Sequence, residues 1–95
     1  MATKSKTGKQ LERHFKGVAN HRRIDILIKI SECPGMSVEE IAEAQRANFK
    51  TISEHTRRLV QAGLINKQYE GRRVIHTVSP YGAAFVAFIR TFQHS

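Results

Sequence analysis

NFKTISEHTRRLVQAGLINKQYEGRRVIHTV, Asn48 to Val78, contains the change of period that decides the fold. Set on a wheel at about 100° per residue, Ile52, Thr56 and Leu59 fall together, with His55 on their flank. Lys50, Ser53, Glu54, Arg57 and Gln61 gather on the opposite side. Asn48 is a suitable N-cap and Gly63 a C-terminal stop, so a helix is expected over 49–62. The period then drops to two. LINKQY and RVIHTV are short and rich in β-branched residues, and the turn around Glu70-Gly71-Arg72 separates them, which predicts a hairpin over 64–78. Arg72 and Arg73 stand beside that turn with no evident use in folding.

Reading upstream, Ser37-Val38-Glu39-Glu40 is a capping-box pattern, with Ser37 as N-cap and Glu40 at the third helical position. Val38, Ile41 and Ala42 give this short helix its inward stripe, and it fades near Ala44 or Gln45. Two helices joined by a tight turn make a helix-turn-helix. Before it, Asn20 caps HRRIDILIKISEC. Ile24, Leu27, Ile28 and Ser31 line one face there, while Ile26 and Ile30 make the other apolar too. A helix apolar nearly all round belongs in the centre of the fold, and Pro34-Gly35 stops it. Leu11, Phe15 and Val18 mark a first amphipathic helix over about 9–19. Residues 1–8 are polar, basic and without periodicity, and are expected to form a flexible arm ahead of a single domain, 9–95. Downstream, Ser79-Pro80 opens a last helix, with proline where its missing amide costs little. The expected fold is mainly α with one hairpin, a winged helix-turn-helix in the order α1-α2-α3-α4-β-hairpin-α5.

Charge narrows the function. Sixteen Lys+Arg against eight Asp+Glu give a formal +8. Residues 1–16 carry a net +4, residues 17–44 a net −2 and residues 45–73 a net +5. A basic block behind an acidic one points one surface at a polyanion. The 40% hydrophobic content is that of a globular chain. No apolar run approaches the ~20 residues of a membrane span, and the N-terminus lacks the apolar core of a signal peptide, so the cytoplasm is expected. The single cysteine, Cys33, agrees with a reducing compartment. At the end of the central helix it reads as a small core residue. None of the five histidines stands at helical metal-pair spacing from another His or from Cys33, so no metal and no cofactor is expected. Without a phosphate-binding glycine loop, a Cys/His nucleophile arrangement or a paired-carboxylate site, the chain does not read as an enzyme.

The outer face of helix 49–62 is chemically varied as well as charged. Lys50 and Arg57 suit guanine, Glu54 the cytosine amino group and Ser53 either partner. Phe49 could lie against a thymine methyl. A basic-tipped hairpin directly after such a helix is a wing. Its Arg72 and Arg73 would reach the backbone or a narrow minor groove, and Arg58 and Lys67 the phosphates. A cross-strand ion pair with Glu70 is the alternative for Arg73. Duplex DNA is therefore the expected partner, read through Asn48, Phe49, Lys50, Ser53, Glu54, Arg57, Arg58, Lys67, Arg72 and Arg73.

The span from about Val18 to Phe88 resembles the ArsR-type winged-helix repressors and, more loosely, the MarR group. VANHRRIDIL, MSVEEIAEA, TISEHTRRLVQAGLI, EGRRV and the SPYG opening of the last helix carry the likeness, over about three quarters of the chain. The resemblance implies a homodimeric transcriptional regulator paired through its first and last helices. It matches Phe49, Lys50, Ser53 and Glu54 to base-reading sites, and Arg72 and Arg73 to the wing. The expected seam holds Leu11, Phe15, Tyr81, Phe85, Phe88, Ile89 and Phe92, although the aromatic stripe could also line a ligand pocket. The sequence departs from the family where thiophilic-metal sensors carry Cys-x-Cys, having Ser37 and Glu39. It also lacks the Asp-x-His and downstream His pairs in the last helix, and no metal or small-molecule effector is evident. In the turn, Gln45, Arg46 and Ala47 replace the usual Leu-Gly-Leu. The alternative function is a winged-helix interaction module of a larger nucleic-acid complex, whose recognition face would be acidic or apolar. Single-strand RNA readers would need exposed aromatics beyond Phe49 and Tyr69.

Overall fold

Each of the five helices among the described residues starts at a side-chain cap. In the computed structural model, which describes residues 5–94, the order is α1 (Gly8–Val18), α2 (His21–Glu32), α3 (Val38–Gln45), α4 (Phe49–Gln61), β1 (Ile65–Glu70), β2 (Arg73–Val78) and α5 (Pro80–Gln93). This is the expected mainly helical order. Residues 1–4 of the expected arm lie outside the described residues. α1 starts at Gly8 because the Thr7 hydroxyl accepts from the Gln10 amide while the Gln10 side chain accepts from the Thr7 amide. Asn20 and Asn48 accept from the second and third amides of α2 and α4. Ser37 and Glu40 form the capping box read from the sequence. Caps of this kind are each worth ~1 kcal/mol.

α2 is the hub. Ile26, Leu27 and Ile30 are wholly buried beside Ile41 of α3, Ile52 and Leu59 of α4, and Leu64. Burying a side chain of this size contributes about 2 kcal/mol. Ile24 and Ile28 are only half-buried, because α2 is not covered on every side. Cys33 is exposed, contrary to its reading as a core residue. The helix ends at Glu32, and Cys33, at φ −129° and ψ 75°, leaves the helical path and the core with it.

The α3–α4 turn accommodates its unusual residues without a glycine. Arg46 takes a left-handed conformation at φ 52°. Its amide reaches Glu43 O at 3.1 Å, and the Ala47 amide reaches Ala42 O at 3.0 Å. This is the bonding of a Schellman ending, with arginine where glycine is usual.

β1 and β2 pair antiparallel from Ile65↔Val78 to Glu70↔Arg73. The two-residue turn is Gly71-Arg72, and Gly71 at φ 65° suits the first central position of a type II′ turn. The free edge of β2 takes on a further rung. His76 N donates to Met36 O at 3.0 Å and Gly35 N to His76 O at 2.9 Å, while His76 Nδ1 also meets Met36 O at 2.9 Å. The base of the hairpin is thus tied to the segment that enters α3. α5 is seated by Ser79, whose amide donates to Leu64 O at 3.0 Å and whose hydroxyl donates to Gly63 O at 2.6 Å. Gly82 makes that seat possible, since a methyl there would lie 1.9 Å from Leu64 O.

Candidate nucleic-acid interface

Helical periodicity gives α4 an inner, an outer and a lateral surface. Ile52, Thr56 and Leu59 are buried, and the Thr56 hydroxyl is satisfied by Ile52 O at 2.7 Å. Lys50, Glu54, Arg57, Arg58 and Gln61 are exposed along the outer ridge. Ser53 is half-buried on the flank that turns to the hairpin. Between that flank, α3 and the hairpin runs a groove of about 680 Å³. Phe49, Ser53 and Arg57 enter it from α4, and Lys67, Arg72 and Arg73 from the hairpin. Thr56, Val60, Val74 and His76 add to its lining, as do Ser37, Val38 and Glu39. Four cations therefore line the groove against one carboxylate, Glu39, which leaves it attractive to an anionic backbone. Of the outer ridge, Arg57 opens onto the same groove as the hairpin arginines.

The individual groups differ in how free they are. Phe49 is 53% exposed, although it is a large aromatic at a helix start. Asn48 has its side-chain oxygen committed to the Lys50 amide at 2.7 Å, so its first role is capping. Glu54 sits beneath two arginines: Arg57 Nε donates to Oε2 at 3.0 Å, and Arg58 Nε lies 3.4 Å from Oε1. The Arg57 guanidinium holds the Glu54 carboxyl below its ordinary range, and Glu54 in turn raises Arg57. These pairs are solvent-exposed and weak, so a stronger acceptor can displace them. Lys67 Nζ lies 6.0 Å from the centre of the Tyr69 ring. Arg72 is exposed at the turn. Arg73 faces Glu70 in the strand register, yet it pairs with Glu40 of α3 rather than with Glu70.

On the opposite flank of α4, Arg23 of α2 donates from Nη1 to His55 Nδ1 at 3.2 Å. Burial and the nearby Arg23 and Arg22 push the His55 pKa down. Sequence reading also missed His14. It is buried, its Nδ1–H donates to Ala62 O at 2.6 Å, and its Nε2 accepts from Lys6 Nζ at 2.9 Å. Lys6 also lies 4.3 Å over the Tyr81 ring. A histidine contact 48 residues away leaves no periodic signal in the chain.

The apolar stripe expected as a subunit seam divides in two. Phe85 and Ile89 pack partly against the protomer's own core. Leu11, Phe15, Tyr81, Phe88 and Phe92 stay 40–65% exposed. Phe15 meets Phe85 edge-on at 5.3 Å, and Phe88 meets Phe92 edge-on at 5.0 Å. Among the described residues no three of His, Cys, Asp and Glu come together to hold a metal ion, and no helix is long and apolar enough to cross a membrane.

Residues 18–84, which span α2, the helix-turn-helix, the hairpin and the start of α5, match the HVO_A0114 family. The chain belongs to the HVO_A0114 family. No curated protein matches it. Among solved structures it is similar to the homodimeric winged helix-turn-helix DNA-binding domain (fragment 1–100) of Mb0332 from Mycobacterium bovis, described as a possible ArsR-family transcriptional regulator. The identity is 28%, over 99% of this chain and 91% of that one, with a TM-score of 0.82. It is also similar to reduced HlyU from Vibrio cholerae N16961, at 25% identity over 88% of each chain with a TM-score of 0.78. MarR, at 22% identity over 90% of this chain and 66% of that one, shares the fold with a TM-score of 0.75. The likeness to ArsR-type and MarR-type winged helices drawn from the sequence is borne out by these structures.

Proposed function

We propose that this member of the HVO_A0114 family is a sequence-specific regulator of transcription that binds duplex DNA as a homodimer and acts as a repressor in the cytoplasm. The observation that carries this reading is the shared groove: Ser53 and Arg57 of α4 open onto the same space as Lys67, Arg72 and Arg73 of the hairpin. A helix whose exposed ridge carries lysine, glutamate and arginine, with a serine on the flank beside it, can enter a major groove and exchange its internal ion pairs for base edges. The hairpin beside it then meets the adjacent backbone. In this reading Lys50, Ser53, Glu54 and Arg57 read bases with Phe49 alongside, Asn48 shapes the helix start, and Arg58, Lys67, Arg72 and Arg73 contact phosphates or the minor groove. The cationic lining favours DNA over the protein-interaction module, which would present an acidic or apolar face.

Dimerisation is supported by the aromatic face of α1 and α5. Covering Phe15, Tyr81, Phe88 and Phe92 with a second copy removes that apolar face from water. The Mb0332 domain, similar over 99% of this chain, is homodimeric, which supports a pair of chains here too. Two-fold symmetry then calls for a roughly palindromic site with half-sites about 34–36 Å apart, or a multiple of that. Selection of bound duplexes from a random pool tests the assignment. Recovery of a palindromic motif whose composition changes with Arg57→Ala is expected, and enrichment of no motif would refute it.

A further inference from the structure

Glu40 holds Arg73, one of the groove's cations, and engages two groups with one oxygen. Its Oε1 accepts the Ser37 amide at 2.9 Å, closing the capping box of α3, and the same oxygen accepts from Arg73 Nη2. The cap fixes the carboxylate in place, so Arg73 meets a preset acceptor 33 residues away in sequence. Glu70, directly opposite in the register, is passed over. The Ser37 amide first, and Arg73 next, hold the Glu40 carboxyl below its ordinary range, so it is ionised at neutral pH. Both side chains are about half exposed, at 46% and 49%, and a pair in that setting shifts an equilibrium by up to about fivefold. That is enough to restrain an arginine, yet it yields to a phosphate that can take the guanidinium on two oxygens.

Building on the reading of this groove as a DNA interface, we propose that Glu40 is a specificity-determining residue. It keeps Arg73 off the backbone of an ill-fitting duplex and releases it only where the rest of the interface docks. A random duplex therefore meets one cation fewer than a matching one.

Glu40→Gln tests this with little risk to the fold, because glutamine also serves at the third position of a capping box. Glu43→Gln on the same helix controls for the change in net charge. Binding of the full chain to a random duplex and to a selected duplex is followed by fluorescence anisotropy across a salt series. With the random duplex, Glu40→Gln is expected to bind up to about fivefold tighter than Glu43→Gln. Its slope of log K against log salt should steepen by about 0.9, one more phosphate neutralised. The slope with the selected duplex stays unchanged, and adding Arg73→Ala removes the gain. Binding equal to that of Glu43→Gln, binding weaker than wild type, or a gain that survives Arg73→Ala would overturn the proposal. Absence of salt-sensitive binding by the wild type overturns the DNA reading as well, and so separates the two failures.

Discussion

Gly17 of α1 sits against the end of α4 so tightly that a methyl added there would lie 2.2 Å from Ala62 Cβ. Ordinary carbon contacts are about 3.5–4.0 Å, so Gly17→Ala must push α1 away from α4 by roughly 1.5 Å. The shift would also stretch the 2.6 Å hydrogen bond from His14 to Ala62 O. Overpacking of this kind costs about 3 kcal/mol, offset by about 1 kcal/mol of helix propensity when glycine becomes alanine. The net expectation is a loss of about 2 kcal/mol. Ala62→Gly removes the opposing methyl at a cost of about 0.8 kcal/mol of burial. The Ala62 backbone Cα lies 3.6 Å from the added methyl, within ordinary contact distance. The double variant, with its methyl moved from one helix to the other, should therefore come within about 0.5 kcal/mol of wild type. Urea denaturation at fixed protein concentration measures all three. A double variant no more stable than Gly17→Ala alone would refute the packing argument.

Three further outcomes follow from the same structure. Arg46→Gly should stabilise the fold by about 0.5–1 kcal/mol, because a left-handed residue costs ~1–2 kcal/mol when it carries a Cβ and glycine gives part of that back in chain entropy; denaturation midpoints check it. His55, whose Nδ1 accepts from Arg23, has a pKa in the fold below the ordinary 6.5, so the unfolded chain takes up its proton first. Stability should then fall as pH drops below about 6.5, and His55→Gln should flatten that part of the stability–pH curve; an unchanged curve would count against it. Phe88→Glu places a carboxylate on the exposed aromatic face and should convert dimer to monomer, read by light scattering.

Much of the fold was legible because it depends on local rules. Ser37 and Glu40 announce a capping box within four residues, and Gly71 marks the turn between two period-two strands. The alternation of Ile52, Thr56 and Leu59 with Lys50, Ser53 and Arg57 gives α4 its faces before any tertiary contact is known. What stayed hidden depends on distant partners or on chain direction. Glu40 reads in sequence only as a capping-box residue, because Arg73 comes near it only once the hairpin folds back beside α3. The rung between Met36 and His76 is likewise invisible, since one bridging residue has no period. Cys33 was misplaced because periodicity does not say where the chain swings off a helix. The stripe on α5 was read as one seam, because Phe85 and Phe88 are equally apolar and only packing separates the residue that faces the core from the one that faces out.

Binding as proposed requires the outer ridge of α4 and the hairpin to meet one duplex together. Backbone and arginine side-chain NMR signals, followed during titration with a selected duplex, test that most directly. Shifts concentrated at Lys50, Ser53, Arg57, Lys67 and Arg72 are expected, with those of Phe88 and Phe92 left in place. Shifts confined to α1 and α5, or to only one of α4 and the hairpin, would contradict it.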